Sequence, residues 1–403
     1  MKVDLYALRQ QWKYWNGLVP GGALNWAQMF SDWNPLAPEC ALFKECLMDY
    51  PEPDWGIHEV CVSGEVFLVT KEVVTDLPFC RLTRFTALGR KNLPRVLIVA
   101  PLSGHYATLL RETVQSFLFD HEVFVTDWKN AREVSLPAGA FSLHDYVKYE
   151  QTFFQLLAGE GKFHVVAVCQ PAVPTIVAVS LLAQEGSDLA KQTGSMTLIG
   201  GPVDARRNPT RVNLFAAAHS IDWFQENMIH TVPYEYLGRG RAVYPGFMSL
   251  MNFVNVDRPL HTKAYRDHLP SLFHPAPEDV EKFRKFYGEF NSVMDLPGEY
   301  YLPTVENVFQ KFLLARGLWR TEEDVLVEPK AIAKTALLTI EGAKDTIAGV
   351  GQTEAAHELV TSIPSGMHAH YLAPGGHYSV FSGSHFRGVI YPKIRDFIAV
   401  HQG

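Results

Sequence analysis

FHVVAVCQPAVPTIVAVSLLAQ, residues 163–184, begins as a continuous apolar run and passes almost without a spacer into a helical pattern. A run such as Phe163–Cys169, apolar at nearly every position, fits a strand buried on both faces of a sheet. The stretch Ala172–Gln184 has the length and composition of a helix. Cys169 therefore stands at the tip of a strand, directly before a helix. Such a turn pushes one side chain into the open at the edge of a parallel sheet.

The same rhythm extends outward in both directions. Upstream come strand Arg95–Pro101, a helical pattern over Ala107–Phe119, strand His121–Trp128 and a helix over Leu143–Leu157. Downstream comes strand Ser195–Gly201. The alternation stops at Pro202 and resumes with strand Thr335–Gly342, a helix near Thr353–Ser362, strand His368–Pro374 and a closing helix over His385–His401. Strand and helix in turn at this spacing predict a mostly parallel sheet wrapped by crossovers. Ahead of it, CVSGEVFLVT (61–70) and FCRLTRFTAL (79–88) read as two antiparallel strands. The expected organisation is a Trp-rich N-terminal arm over 1–58, an α/β core made of 59–204 and 331–403, and an inserted lid over 205–330, rich in aromatics and broken by prolines. No internal repeat or low-complexity tract is visible.

Composition narrows the function. Of 403 residues, 47% are hydrophobic and 20% charged, which excludes a largely disordered or collagen-like chain. The 36 Lys+Arg against 43 Asp+Glu leave a net charge of −7, with a pI near 6.1. That balance argues against a protein built around a nucleic-acid backbone. No apolar run approaches the ~18–20 residues of a membrane helix; the best, Val96–Leu102, is of strand length. MKVDLYALRQQWKYWNG has neither the apolar region nor the cleavage site of a secretory signal. The expected compartment is the cytoplasm. The five cysteines (Cys40, Cys46, Cys61, Cys80 and Cys169) lack metal-ligand spacing, so free thiols are expected. Trp12, Trp15, Trp26, Trp33 and Trp55 crowd the first 58 residues, with Leu5, Leu8, Trp12 and Trp15 at helical spacing. That aromatic stripe is expected to pack on the main domain rather than to dock on a surface.

Three side chains carry the chemistry. Cys169 sits where a helix N-terminus would stabilise a thiolate. Asp345 follows strand Thr335–Gly342, and His377 follows strand His368–Pro374 within PGGHYSVFSG. Nucleophile, acid and base in that chain order, each on a loop after its own strand, suit acyl transfer. Asp204, after the strand ending IGGP, is the competing acid. The N–H of Gln170 would face an oxyanion, and Ser103-Gly104, after strand Arg95–Pro101, would supply the second donor. The turn departs from G-x-S-x-G, since Ala167 and Pro171 hold the glycine positions.

VCQPAVP (168–174), PLSGHYATLLR (101–111), FVTDWKNAREVSLPAGAFSLHDYV (124–147) and the terminal PGGHYSVFSG and YPKI runs resemble the intracellular poly(3-hydroxybutyrate), or polyhydroxyalkanoate, depolymerases. These are α/β-hydrolase enzymes with a cysteine nucleophile that degrade storage polyester. The likeness spans nearly the whole chain and is weakest over the first 58 residues. It implies an α/β-hydrolase fold with a large inserted lid, and nucleophile, acid and base roles for Cys169, Asp345 and His377. It also implies ester hydrolysis through a thioester and work at the surface of polyhydroxybutyrate granules. Coenzyme A is an alternative acyl acceptor. Two other readings stay open. One is a polyhydroxyalkanoate synthase, whose G-x-C-x-G box Ala167 and Pro171 do not match; the other is a non-catalytic granule-binding protein. HExxH, GxxxxGK[ST] and strand-linked GxGxxG are absent, so no metal or nucleotide cofactor is expected.

Overall fold

A computed structural model describes Tyr6 and residues 48–256, 258–268 and 277–403. The expectations for Leu5, Leu8, Trp12, Trp15, Trp26, Trp33, Cys40 and Cys46 lie outside the described residues.

Nine strands form one sheet in the order β1-β2-β3-β5-β4-β6-β7-β11-β12. They are β1 (Glu59–Val62), β2 (Glu65–Asp76), β3 (Cys80–Ala87), β4 (Arg95–Val99), β5 (Glu122–Trp128), β6 (Phe163–Val168), β7 (Thr193–Ile199), β11 (Ala336–Gly342) and β12 (His368–Ala373). The six strands β5-β4-β6-β7-β11-β12 are mutually parallel, and β3 joins them antiparallel through β5. Every residue of β4, β6, β7 and β11 is buried. That is why these strands read as unbroken apolar runs rather than as alternations.

Helices flank the sheet: α1 (Arg111–Phe117), α2 (Leu143–Ala158), α3 (Ala172–Gln184) and α4 (Asp188–Gln192). Ser142 and Asp145 close a reciprocal capping box at the start of α2, which fixes where that helix begins. α3 buries nearly its whole circumference, as its lack of a polar stripe requires.

The segment between β7 and β11 is far more regular than its prolines suggest. It holds α5 (Arg211–Ala218), α6 (Ile221–Met228), α7 (Gly246–Val256), α8 (Arg258–His268), α9 (Pro277–Asn291) and α10 (Gly298–Thr304). It also holds a small sheet of β8 (His230–Thr231), β9 (Ala242–Tyr244) and β10 (Leu296–Pro297), in the order β10-β9-β8.

Three local expectations need correction. The run 61–70 is a hairpin and not one strand. Ser63 and Gly64 take φ of +53° and +86°, the left-handed pair of a tight turn between β1 and β2. The helix expected near 353–362 shrinks to the single turn α11 (Ala356–Leu359), because the chain before it wraps a buried carboxylate. Glu341 accepts from the N–H groups of Gly351, Thr353 and Glu354 at 2.8, 2.7 and 3.0 Å. The closing helix opens on a π turn over Phe386–Ile390 before α12 (Tyr391–Val400). Pro392 cannot donate to an i−4 carbonyl, and the wide turn takes up that mismatch.

Candidate active site

The site is built at the C-terminal edge of the parallel strands, starting from the turn after β6. Cys169 adopts φ +67°, a conformation that costs a residue with a Cβ on the order of 1–2 kcal/mol. It is held there by its N–H donating to Ile199 O at 2.7 Å and its carbonyl accepting from Ala172 N at 3.2 Å. Pro171, φ −59°, caps α3, where its fixed φ suits the helix and its missing N–H costs nothing. The room that glycines at 167 and 171 would ordinarily leave comes in part from the neighbouring strand. A Cβ on Gly201 would lie 2.2 Å from Ala172 Cβ and 2.8 Å from Cys169 O.

Asp345 and His377 approach from the loops after β11 and β12. His377 Nδ1 lies 2.7 Å from Asp345 Oδ2, with both side chains almost wholly buried. The other carboxylate oxygen accepts from the N–H groups of Ile347 and Ala348 at 2.8 and 2.9 Å. With three bonds on it, the acid cannot turn away. Nδ1–H donating to Asp345 leaves the far side of the ring open, and Cys169 is near enough to act on the imidazole through its charge. Burial alone would push the imidazole down. The Cys169 sulfur and the Asp345 carboxylate outweigh it and hold His377 well above its ordinary range. Gly200, φ +58°, forms the floor; a Cβ there would sit 3.4 Å from the imidazole and 3.5 Å from Asp345 Oδ2.

Asp345 and His377 thus meet beside the turn that carries Cys169, and Asp204 does not join them. Its carboxylate is forked on Arg206, at 2.7 and 2.8 Å, and that guanidinium holds it below its usual range. Gln170 is buried next to Cys169, and its side-chain oxygen accepts from Leu102 N at 3.4 Å, which ties the turn to the loop after β4. In that loop the backbone hydrogen bonds of Ser103 and Gly104 run through their carbonyls, to Ser249 Oγ at 2.9 Å and Met294 N at 2.7 Å.

Sequence reasoning missed the frame around these groups. Thr353 Oγ1 lies 2.9 Å from both the N–H and the carbonyl of Gly201, while Glu341 holds the Thr353 backbone. The Gly-Gly pair after β7 was the one available signal. Glu341 and Glu354 also approach His370 closely enough to suggest a cation site. The three N–H bonds on Glu341 already account for its charge. A cavity of about 650 Å³ opens beside β2, β3 and β5. It includes none of Cys169, Asp345 and His377, and its cations are paired: Arg81 with Glu52 at 3.0 Å, Lys129 with Asp76 at 2.5 Å and Arg132 with Asp49 at 3.1 Å. Among the described residues, no helix is long and apolar enough to cross a membrane.

The strand order, the strained turn from β6 into α3, and an acid and a histidine after the last two strands define an α/β-hydrolase. The family model described as PHB de-polymerase C-terminus matches residues 200–402, and the chain belongs to that family. It is a carboxylic ester hydrolase. The matched span contains Asp345 and His377 and begins after Cys169. Among solved structures, an epoxide hydrolase from Bacillus megaterium is 12% identical, covering 81% of this chain and 99% of that one at a TM-score of 0.46. An esterase from Thermogutta terrifontis is 13% identical, covering 85% and 98% at 0.41. A meta-cleavage product hydrolase from Pseudomonas fluorescens is 14% identical, covering 85% and 97% at 0.42. No curated protein matches the chain.

Proposed function

We propose that the protein cleaves the ester bonds of poly(3-hydroxybutyrate) through a thioester on Cys169. The observation that carries this reading is the His377 imidazole, held by Asp345 at 2.7 Å at the turn where Cys169 takes φ +67°. The thiolate attacks the ester carbonyl and the C–S bond forms. The oxyanion is met by the N–H of Gln170 and by the loop carrying Ser103 and Gly104. As the C–O bond breaks, the imidazolium of His377 gives its proton to the leaving hydroxyl. Water, with His377 as base, then cleaves the thioester, releases 3-hydroxybutyrate units and restores the thiolate–imidazolium pair. A thiol such as coenzyme A resolves the same intermediate by the same geometry. Asp345 keeps Nδ1 protonated and stabilises the imidazolium.

In this reading 59–204 and 331–403 form the catalytic core, 205–330 is a lid over the cleft, and 1–58 is a Trp-rich N-terminal arm. The work takes place in the cytoplasm, at the surface of the polymer granule. A Cys169→Ala variant is expected to lose turnover of amorphous polymer while keeping its thermal midpoint. Turnover near that of the wild type would overturn the reading. Incubation with 3-hydroxybutyryl-coenzyme A is expected to give no polymer, which separates it from a synthase.

A further inference from the structure

The loop after β4 is fastened to the segment between β7 and β11. Ser249 Oγ, on α7, donates to Ser103 O at 2.9 Å. Met294 N donates to Gly104 O at 2.7 Å, and His105 bridges Val293 in an isolated antiparallel pair. His105 Nε2–H donates to Phe290 O, at the end of α9, at 3.0 Å. Its ring packs against Phe253 and Phe290, at centroid distances of 4.9 and 5.2 Å. Burial pushes this imidazole down to about 4, so it is a neutral donor through the working pH range. At Gly104, φ is +125° and a Cβ would fall 2.3 Å from Ser249 Oγ. The glycine is thus demanded by the approach of α7 as well as by its own backbone. Every hydrogen bond that the described residues make to Ser103, Gly104 and His105 comes from 249–294. Phe290 also touches Tyr378, the neighbour of His377, with centroids 6.2 Å apart.

We propose that Ser249 and His105 are positioning residues, which set the oxyanion-facing N–H groups of Ser103 and Gly104 by fastening their loop to α7 and α9. The hydrolase site is then complete only while that segment is seated, and its displacement abolishes oxyanion stabilisation without touching Cys169, His377 or Asp345. This rests on the acyl-transfer reading of the site.

The test separates steps that develop an oxyanion from one that does not. Alkylation of a cysteine by iodoacetamide is a displacement at a saturated carbon. Hydrolysis of a soluble 3-hydroxybutyrate ester passes through a tetrahedral oxyanion. In Ser249→Ala and His105→Ala, kcat for the soluble ester is expected to fall ~10- to 100-fold with KM within about twofold, while the rate of Cys169 alkylation stays within about twofold. His105→Gln, which keeps a donor toward Phe290 O, is expected to recover most of the loss. Unchanged kcat in Ser249→Ala, or alkylation and ester turnover falling together, would overturn the proposal. A wild type that stays active after complete alkylation overturns the cysteine reading itself, and this proposal with it.

Discussion

The imidazole of His377 and the carboxylate of Asp345 meet at 2.7 Å across two loops that follow neighbouring parallel strands. Because Oδ1 of the same acid is taken by two backbone N–H groups, only Oδ2 is left to orient the ring. Asp345→Asn keeps the shape but presents a donor to Nδ1 and selects the wrong tautomer. We expect kcat to drop ~10³- to 10⁴-fold with little change in KM. His377 also loses one of the two groups that hold it above its ordinary range. The imidazolium that protonates the leaving group is then lost at lower pH, so the alkaline limb of the residual activity moves down. A pH–rate profile of the variant checks both effects.

The site also depends on a missing atom at Gly201. A Cβ there meets Ala172 Cβ at 2.2 Å and Cys169 O at 2.8 Å, neither of which is the tip of a flexible side chain. Gly201→Ala is expected to cost about 2 kcal/mol or more in urea unfolding and ~100-fold in ester turnover. Gly288, inside α9 with nothing within 4 Å of a built Cβ, provides the contrast. Gly288→Ala is expected to stabilise by about 0.5–1 kcal/mol and leave activity unchanged.

A third prediction concerns Tyr6 and the buried acid it meets. Tyr6 donates its hydroxyl to the carboxylate of the fully buried Asp295, whose other oxygen accepts from Gly246 N at 2.8 Å. Burial pushes this carboxyl up to about 7. A carboxyl raised in the folded state binds its proton more tightly there than in the unfolded chain. Its contribution is therefore full below about pH 4 and is lost as pH climbs to about 7. Asp295→Asn removes that loss, with the amide able to bond both partners. Relative to the wild type, its stability is expected to rise on the order of 3 kcal/mol more at pH 8 than at pH 4. A difference that does not change with pH would refute the buried-acid account.

The parallel sheet was legible because its central strands are buried on both faces and so appear as uninterrupted apolar runs. Cys169, Asp345 and His377 were singled out by standing at strand ends; of these, Asp345 and His377 are in hydrogen-bond contact. What stayed hidden depends on contacts that no local window contains. The Ser63–Gly64 turn lies inside an alternation that continues on both sides of it. The shortening of α11 follows from Glu341, fifteen residues before its first residue and pointing inward. The clasp on the 102–104 loop pairs Ser103 with Ser249 and His105 with Phe290, partners almost 150 to 185 positions apart. Between β7 and β11, Pro303 lies inside α10 and breaks the pattern by which that helix is recognised.

Acid-quenching the enzyme during turnover of a soluble 3-hydroxybutyrate ester, then mapping its peptides by mass spectrometry, tests the covalent step most directly. A 3-hydroxybutyryl thioester on the peptide containing Cys169, absent from Cys169→Ala and accumulating in a variant slowed at His377, is the predicted result. Turnover without any adduct on that peptide, or an acyl group trapped on another side chain, would contradict it.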